Sequence, residues 1–289
     1  MRIFKATHLG MCFGVRNAIT LANKVAATSQ FSVLGELVHN NIVLDELRNK
    51  GVHFANSFQE IRYDTVMITA HGCSQKTIAS LQARGYQVLQ STCPLVRYVH
   101  KTVRQFVENG FHPVVIGRRD HSEVRGVVED LDEYDVVLTA EDIFNLKERE
   151  KYGVVSQTTQ PINYVLELVN LLKNRFPNSE VCFVDTVCVP TKQRQDSAIE
   201  LAKQCDVVIV IGGRKSNNTK ELVNTCAIYC RRVYHIENVD ELMLEYFIGA
   251  ETVGITAGTS TPDETIDLVE KKIRLFADKL VPEAIIAAA

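Results

Sequence analysis

Three of the eight cysteines, Cys12, Cys93 and Cys188, recur at matching places in the chain. Each precedes a stretch with helical periodicity, and a strand-like run ends in glycine 23 or 24 residues after it. Three thiolates could hold three corners of a cubane iron–sulfur cluster and leave the fourth iron open to a substrate. A helix start beside each thiolate adds N–H groups and a positive dipole end. The alternative is a small buried side chain; the repeat favours ligands.

The other five cysteines are interpreted as structural: Cys73, Cys182, Cys205, Cys226 and Cys230. The chain has no Cys-x-x-Cys pair, which excludes ribbon-type zinc sites, thioredoxin-like redox pairs and clustered ferredoxin spacing. A metal site must therefore be assembled from distant parts of the chain. Cys73 is the competing thiol nearest to the expected pocket.

Polar loops provide a second set of candidates, rich in hydrogen-bond donors but low in fixed charge: His39, His71, His121, Ser216, Asn218 and Ser260. The segment from Ser216 to Thr219 opens a helix, where hydroxyl, amide and backbone N–H groups suit a phosphate. Plain helix capping by Ser216 is the alternative, and each histidine taken alone is more often structural.

Glu123 lies two residues after His121, in what the pattern predicts to be a loop at a strand end. Beside an anionic ligand such a carboxyl would have a raised pKa and could carry protons near neutral pH. The alternative for Glu123 is a solvated surface side chain.

The elements that must position these residues alternate between short β-branched runs and longer helical patterns, which predicts an α/β fold with parallel sheets. Strands are predicted at 32–35, 65–69, 88–92, 114–117, 153–156, 181–187, 207–211 and 252–256, and helices at 14–27, 41–50, 75–84, 94–109, 161–175, 191–204, 219–230 and 263–279. The third unit lacks its last strand, and the N-terminal strand at residues 2–6 could supply it. Cysteines and polar loops all follow strands, so they should converge on one face.

Closing the circle in this way predicts three similar α/β domains about a pseudo-threefold axis. Their expected bounds are 12–92, 93–187, and 188–280 together with 1–11, with a tail at 281–289. Chance repetition of a strand–helix rhythm is the alternative, which the near-equal cysteine-to-glycine spacing disfavours.

The composition limits the possible partners. The 289 residues include 32 Lys and Arg against 35 Asp and Glu, a net charge of -3, which argues against binding nucleic acid by bulk charge. No apolar run approaches the roughly 18 residues of a membrane span, and the N-terminus lacks the apolar core of a signal peptide. We expect a cytoplasmic protein whose cysteines are thiols.

The ordered motifs resemble the LytB/IspH family over about residues 3 to 279. The matching segments are Met11–Val15, Val38–Asn40, Ala70–Gly72, Ser91–Val96, Gln157–Thr159, Asp185–Cys188, Arg194–Gln195 and Thr256–Asp263. The resemblance implies a trefoil of three α/β domains around a [4Fe-4S] cluster, with Cys12, Cys93 and Cys188 as its ligands and one open iron.

The resemblance also assigns roles to the polar residues. His39, His71, His121, Ser216, Asn218 and Ser260 match positions that hold a substrate diphosphate, and Thr191 matches a pocket-lining position. Asn217, which stands in place of a second serine beside Ser216, is counted with the substrate-binding candidates. Glu123 matches the carboxylate that delivers protons, and Thr158 the hydroxyl that orients the substrate alcohol beside it.

The implied reaction is reductive dehydroxylation of 4-hydroxy-3-methylbut-2-enyl diphosphate, the last step of the methylerythritol phosphate route to isoprenoids. The open iron would weaken the C–O bond as a Lewis acid. Electrons would come from an external donor of the ferredoxin or flavodoxin type. Protonation of the allyl anion at either end would give isopentenyl and dimethylallyl diphosphate.

Three departures from the family pattern affect the expected pocket: Ser122, Asn217 and the pair Val189-Pro190. None removes a ligand or the proton donor, but they bear on the diphosphate contacts. Two other hypotheses remain: an open-site [4Fe-4S] dehydratase with the architecture of quinolinate synthase, and a non-catalytic, cluster-bearing diphosphate sensor. The motifs around Glu123 and Thr158 favour the reductase.

Overall fold

The computed structural model describes residues 1–286, with only the backbone described for 281–286. Its strands are β1 (Arg2–Lys5), β2 (Ser32–Leu34), β3 (His53–Ala55), β4 (Thr65–Ile68), β5 (Gln87–Gln90), β6 (His112–Ile116), β7 (Asp135–Val137), β8 (Lys151–Ser156), β9 (Glu180–Phe183), β10 (Val207–Ile211), β11 (Val233–Ile236) and β12 (Thr252–Ala257). They form three four-stranded parallel sheets. The predicted α/β class, with three similar repeats of strands and helices, is confirmed.

Ten α-helices connect the strands: α1 (Phe13–Ala26), α2 (Asn41–Asn49), α3 (Gln75–Ala83), α4 (Pro94–Glu108), α5 (Ser122–Val128), α6 (Ala140–Phe144), α7 (Ile162–Arg175), α8 (Val189–Gln204), α9 (Asn217–Tyr229) and α10 (Asp263–Ile286) within the described chain. Short 3-10 helices lie at Phe58–Glu60, Val239–Glu241 and Leu244–Phe247. The last helix extends beyond its predicted end, and residues 287–289 of the predicted tail lie outside the described residues. No helix in the described part has the length and apolarity to cross a bilayer.

The three sheets share one topology. Their strand orders are β3-β2-β4-β5, β7-β6-β8-β9 and β11-β10-β12-β1. The central strands of the three sheets are β2 and β4, β6 and β8, and β10 and β12. The other two strands of each sheet are its edges. In the third sheet the N-terminal strand β1 takes the fourth place, with Ile3 beside Val253, so the prediction that it completes this sheet is confirmed.

The contacts divide the chain into two compact units, each described by itself below. Unit 1 comprises Met1–Cys12, His39–Val43 and Val189–Ala289; unit 2 comprises Phe13–Val38 and Leu44–Cys188. Unit 1 holds the third sheet and unit 2 the other two. The three predicted domain boundaries stay predictions.

The central strands are apolar runs because both faces of each sheet are covered by helices. All five residues of β10 are buried. Val207, Ile209 and Ile211 belong to the apolar cluster on one face, while Val208 and Val210 belong to the cluster on the other. The strand period of two therefore supplies two cores, one on each face of the sheet.

Helix starts carry the polar residues of those loops. Ser74 and Ser216 accept hydrogen bonds from backbone N–H groups three residues on, at 3.0 and 3.3 Å, and cap α3 and α9. Pro94 is the first residue of α4, a position that needs no intrahelical N–H bond. Pro190 is likewise in the first turn of α8.

Candidate active site

Glu123 and Thr158 form a buried pair in unit 2. The Thr158 backbone N–H donates to Glu123 Oε1 at 2.6 Å, and the Thr158 hydroxyl donates to Oε2 at 2.9 Å. Glu123 is 2% exposed and Thr158 is 4% exposed. Burial raises the pKa of Glu123 to about 7, although both hydrogen bonds from Thr158 oppose the rise. This carboxyl can hold and release a proton near neutrality.

The placement of Glu123 in a loop was wrong. Glu123 is the second residue of the seven-residue helix α5, capped by His121, whose Nδ1 accepts from the Glu123 N–H at 3.2 Å. The helix turns the carboxylate inward toward Thr158 instead of leaving it in solvent, so the alternative of a surface glutamate is wrong as well. The raised pKa was expected from a neighbouring anion, but burial of the carboxyl is its cause.

Two predicted histidines meet in unit 2. The rings of His71 and His121 pack edge to face with their centroids 5.6 Å apart. His71 follows β4, and His121 precedes α5 after β6, so neighbouring sheets of this unit each contribute one ring. His121 also links this pair to Glu123 through the helix cap.

The three candidate ligand cysteines share one backbone anchor. The N–H groups of Cys12, Cys93 and Cys188 donate to the carbonyls of Thr259, Ala70 and Thr158, at 3.0, 3.1 and 3.0 Å. Each acceptor lies two residues after the end of its strand: β12, β4 and β8, respectively. The repeat recognised in the sequence therefore corresponds to one local geometry, used once in unit 1 and twice in unit 2.

All eight cysteines are thiols, and their surroundings separate the candidates from most of the others. Cys12, Cys93 and Cys188 are half-buried at the starts of helices. Burial raises the pKa of Cys73 and Cys226 to about 12 and that of Cys205 to about 11, aided by nearby acidic groups or thiols. Cys205, Cys226 and Cys230 are part of one apolar cluster, which fits their structural interpretation.

No group of three or more His, Cys, Asp or Glu side chains among the described residues is arranged to hold a single metal ion. A cubane cluster is wider than one ion, and it separates its thiolate ligands by its own width. Ligands of a single ion must therefore lie closer together than the cysteines that hold a cluster.

The start of α9 in unit 1 presents polar groups. Asn218 is 1% exposed, and its Oδ1 accepts from the Thr259 N–H at 2.9 Å. Its Nδ2 has no hydrogen-bond partner among the described residues. Ser216 accepts from the Thr219 N–H as the helix cap and keeps its own hydroxyl proton as a donor. A buried N–H₂ group at a helix N-terminus is suited to an anion.

His39 and Ser260 meet in unit 1, where the Ser260 hydroxyl donates to the His39 carbonyl at 3.2 Å. Gly213 makes this segment's path possible, because a Cβ at Gly213 would collide with the His39 carbonyl oxygen. Sequence reasoning missed this contribution, although the Gly212-Gly213 pair after β10 was its signal. Asn217 and Thr191 are buried in the same unit, at the start of α9 and in α8.

The remaining histidines lie among structural contacts or in a helix. His112 contacts Asp135 Oδ2 at 2.8 Å, His235 contacts the Gly212 carbonyl at 2.8 Å, and His8 contacts Ser197 Oγ at 3.1 Å. His53 contacts the Glu60 carbonyl, and His100 is buried in α4.

Comparison with known proteins supports the resemblance drawn from the motifs. The profile of the family described as LytB protein matches residues 3–274. A protein of Caldanaerobacter subterraneus subsp. tengcongensis named 4-hydroxy-3-methylbut-2-enyl diphosphate reductase is 37% identical over 95% of this chain and 97% of its own length. The Aquifex aeolicus protein of the same name is 38% identical over 94% of this chain and 96% of its own.

Two solved structures are also similar. One, of (E)-4-hydroxy-3-methyl-but-2-enyl diphosphate reductase, is 36% identical, covers 95% of this chain and 99% of its own, and has a TM-score of 0.69. The other, E-1-hydroxy-2-methyl-but-2-enyl-4-diphosphate reductase from Plasmodium falciparum, is 25% identical with a TM-score of 0.88, and covers 95% of this chain and 87% of its own. The match of the family profile across most of the chain, together with relatives of this identity and length, establishes that the chain belongs to the LytB protein family.

Proposed function

We propose that this chain reduces 4-hydroxy-3-methylbut-2-enyl diphosphate to isopentenyl and dimethylallyl diphosphate, the last step of the methylerythritol phosphate route. Relatives that match this chain over nearly their whole lengths are named as this reductase. The observation that carries the proposal is the Glu123–Thr158 pair, because a sensor would need no buried carboxyl with a pKa of about 7.

The proposed cofactor is a [4Fe-4S] cluster held by Cys12, Cys93 and Cys188, with one iron lacking a protein ligand. The shared anchor of the three cysteine N–H groups supports this assignment, as does the thiol character of the donors. A bound cluster would supply electrons one at a time and a Lewis-acidic iron for the substrate's alcohol. Each of the three cysteines directly precedes a helix, whose first N–H groups and positive dipole end would face an anionic cluster.

The proposed diphosphate contacts come from neutral donors at loop and helix starts: His39, His71, His121, Ser216, Asn217, Asn218 and Ser260, with Thr191 lining the pocket. The buried Asn218 Nδ2 supports this role, since an anion would satisfy a group that no described residue satisfies. Ser216 caps α9 and offers its hydroxyl to the ligand as well, so the two interpretations of this residue are compatible.

Glu123 is the proposed proton donor for loss of the alcohol oxygen as water. Thr158 fixes the orientation of the Glu123 carboxyl through two hydrogen bonds. The carbonyl of Thr158 in turn accepts from the Cys188 N–H. One residue thus connects the proton carrier with a proposed ligand cysteine. Held in this way, the carboxyl presents its proton in a defined direction, which contributes to general acid catalysis.

The architecture proposed for this activity is the trefoil of three α/β domains, 12–92, 93–187 and 188–280 with 1–11. The proposed partner is a ferredoxin- or flavodoxin-type electron donor. A cytoplasmic location is supported by eight thiols without a disulfide, the usual state in a reducing compartment. No nucleic acid or membrane partner is proposed.

The test is anaerobic turnover of the reconstituted protein with a reduced one-electron donor and the hydroxylated diphosphate. We expect both isomers as products, with two reducing equivalents consumed for each substrate. Turnover without consumption of reductant would indicate a dehydratase, and binding without turnover would indicate a sensor. In Mössbauer spectra of the anaerobic protein, one iron of four should change its environment when substrate is added.

A further inference from the structure

Arg194, in the helix that follows Cys188, connects the segments beside two of the proposed ligands. Its Nε and Nη2 donate to the Gly10 carbonyl at 3.1 and 2.6 Å, and its Nη1 donates to the Pro190 carbonyl at 3.0 Å. Gly10 is two residues before Cys12, and Pro190 is two residues after Cys188. One guanidinium therefore bonds to both cysteine-bearing segments.

The segment before Cys12 has the greatest need for such a contact. Residues 6–11 separate β1 from Cys12, whereas residues 91–92 and 184–187 separate β5 and β9 from the other two cysteines. Gly10 has φ +73, and a Cβ there would lie 2.9 Å from Ile266 Cδ1. Its N–H donates to the Ala257 carbonyl at 3.2 Å, and Arg194 binds its carbonyl, so Gly10 is held on both sides.

The pseudo-repeat allows Arg194 to be compared with the matching positions of two other helices. Arg194 lies six residues after its cysteine, and the equivalent positions in α1 and α4 are Ala18 and Val99. These positions are 6%, 1% and 1% exposed, respectively. Two of the three helices fill the position with a small apolar side chain, and the third buries a permanently charged group there. Burying a charge is costly, which calls for a specific reason.

We propose that Arg194 is a positioning residue for the cluster, which holds Cys12 and Cys188 at the spacing that the cluster requires. This inference rests on the proposed function, since it assumes that these cysteines bind iron. The planar guanidinium is suited to the role because it offers donors in a fixed fork to two carbonyls at once. A lysine at this position would keep the charge but lose the fork.

The experiment measures retention of the cluster. Wild type, Arg194→Lys and Arg194→Met are reconstituted anaerobically with iron and sulfide, and the loss of iron to an iron(II) chelator is followed. We expect Arg194→Met to lose iron about tenfold faster or more, the usual scale for removal of a group that orients a metal ligand. Arg194→Lys should fall between Arg194→Met and wild type.

Arg232 provides a matched control in the same unit. Its Nη2 donates to the carbonyls of Tyr246 and Ile248 at 2.6 and 3.1 Å. The Tm of each protein without its cluster reports purely structural damage. The inference predicts that Arg232→Lys and Arg232→Met lose iron at the wild-type rate, even where their cluster-free Tm falls as far as that of the Arg194 variants.

Two results would overturn the inference. One is wild-type iron retention in both Arg194 variants; the other is iron loss that tracks the fall in cluster-free Tm equally at both arginines. Wild-type protein that takes up no cluster would overturn the proposed function and this inference with it. A loaded wild type with unchanged Arg194 variants would overturn the inference alone.

Discussion

Thr158 donates both its backbone N–H and its hydroxyl to Glu123, one to each carboxylate oxygen. Hydrogen bonds to a carboxylate favour the charged form, while burial favours the neutral form. Burial dominates at this site, and the pKa of Glu123 rises to about 7 instead of falling. The pair therefore combines a fixed geometry with a proton that can leave and return at physiological pH.

Glu123→Gln should retain the fold and the iron but lose turnover by about 10²-fold or more, the usual scale of general acid catalysis. Glutamine has the same shape and can still accept the Thr158 N–H, but it carries no transferable proton. Steady-state rates and iron content per chain provide the check. Full activity in a loaded Glu123→Gln variant would refute the role of Glu123 as proton donor.

The pH profile should report the same carboxyl. If protonated Glu123 is the active form, kcat/KM is constant below a pH of about 7 and falls above it. Thr158→Val removes one hydrogen bond to the charged form, so the pKa of Glu123 should rise and this limb should move upward by about one unit. Thr158→Ser, which restores a hydroxyl, is the control and should return the limb toward its wild-type position. An unmoved limb in Thr158→Val would mean that another group titrates.

The sequence could predict the site where its residues follow from the repeat or from a motif. The three cysteines share an offset and an anchor, and Glu123 and Thr158 stand in recognisable segments. It could not predict the contacts of Arg194 or Gly213, because each depends on a carbonyl more than 170 residues away in the chain. It also misplaced Glu123, because the helix α5 has only seven residues, too few for helical periodicity to be recognised.

The fold could be predicted where strands are central and helices long. The apolar runs at β10 and β12 are buried along their whole lengths, and their sequence shows it. The edge strands β3, β7 and β11 were missed, and two of them have only three residues each, His53–Ala55 and Asp135–Val137. A strand of three residues at a sheet edge is held by pairing with its neighbour, and it carries little periodicity of its own.

The stability of the protein should depend on pH through Glu123. Below a pH of about 4.5 the carboxyl is protonated in the folded and unfolded chains alike, so it has no effect there. Between about 4.5 and 7 only the unfolded chain ionises, and stability falls as the pH rises. The total loss is about 3 kcal/mol, which Glu123→Gln should abolish.

The measurement is urea unfolding of wild type and Glu123→Gln at pH 4.5 and pH 8. Because both proteins share every other titrating group, the difference between their stabilities isolates Glu123. The free energy of unfolding of Glu123→Gln, relative to that of wild type, should be higher at pH 8 than at pH 4.5. A difference independent of pH would contradict the raised pKa of Glu123.

Asn218, at the start of α9, should bind the diphosphate through its Nδ2, a donor that no described residue satisfies. Asn218→Asp keeps an oxygen to accept the Thr259 N–H, and the helix N-terminus tolerates its charge, so the fold should persist. The variant replaces the Nδ2 donor with a negative oxygen, which repels an anion. We expect KM to rise by about tenfold or more, from a charge penalty of about 1.4 kcal/mol at least. Asn224→Asp, at an exposed position of the same helix, makes the same change in net charge and should leave KM unchanged. Equal KM values for the two variants would show that Asn218 does not contact the substrate.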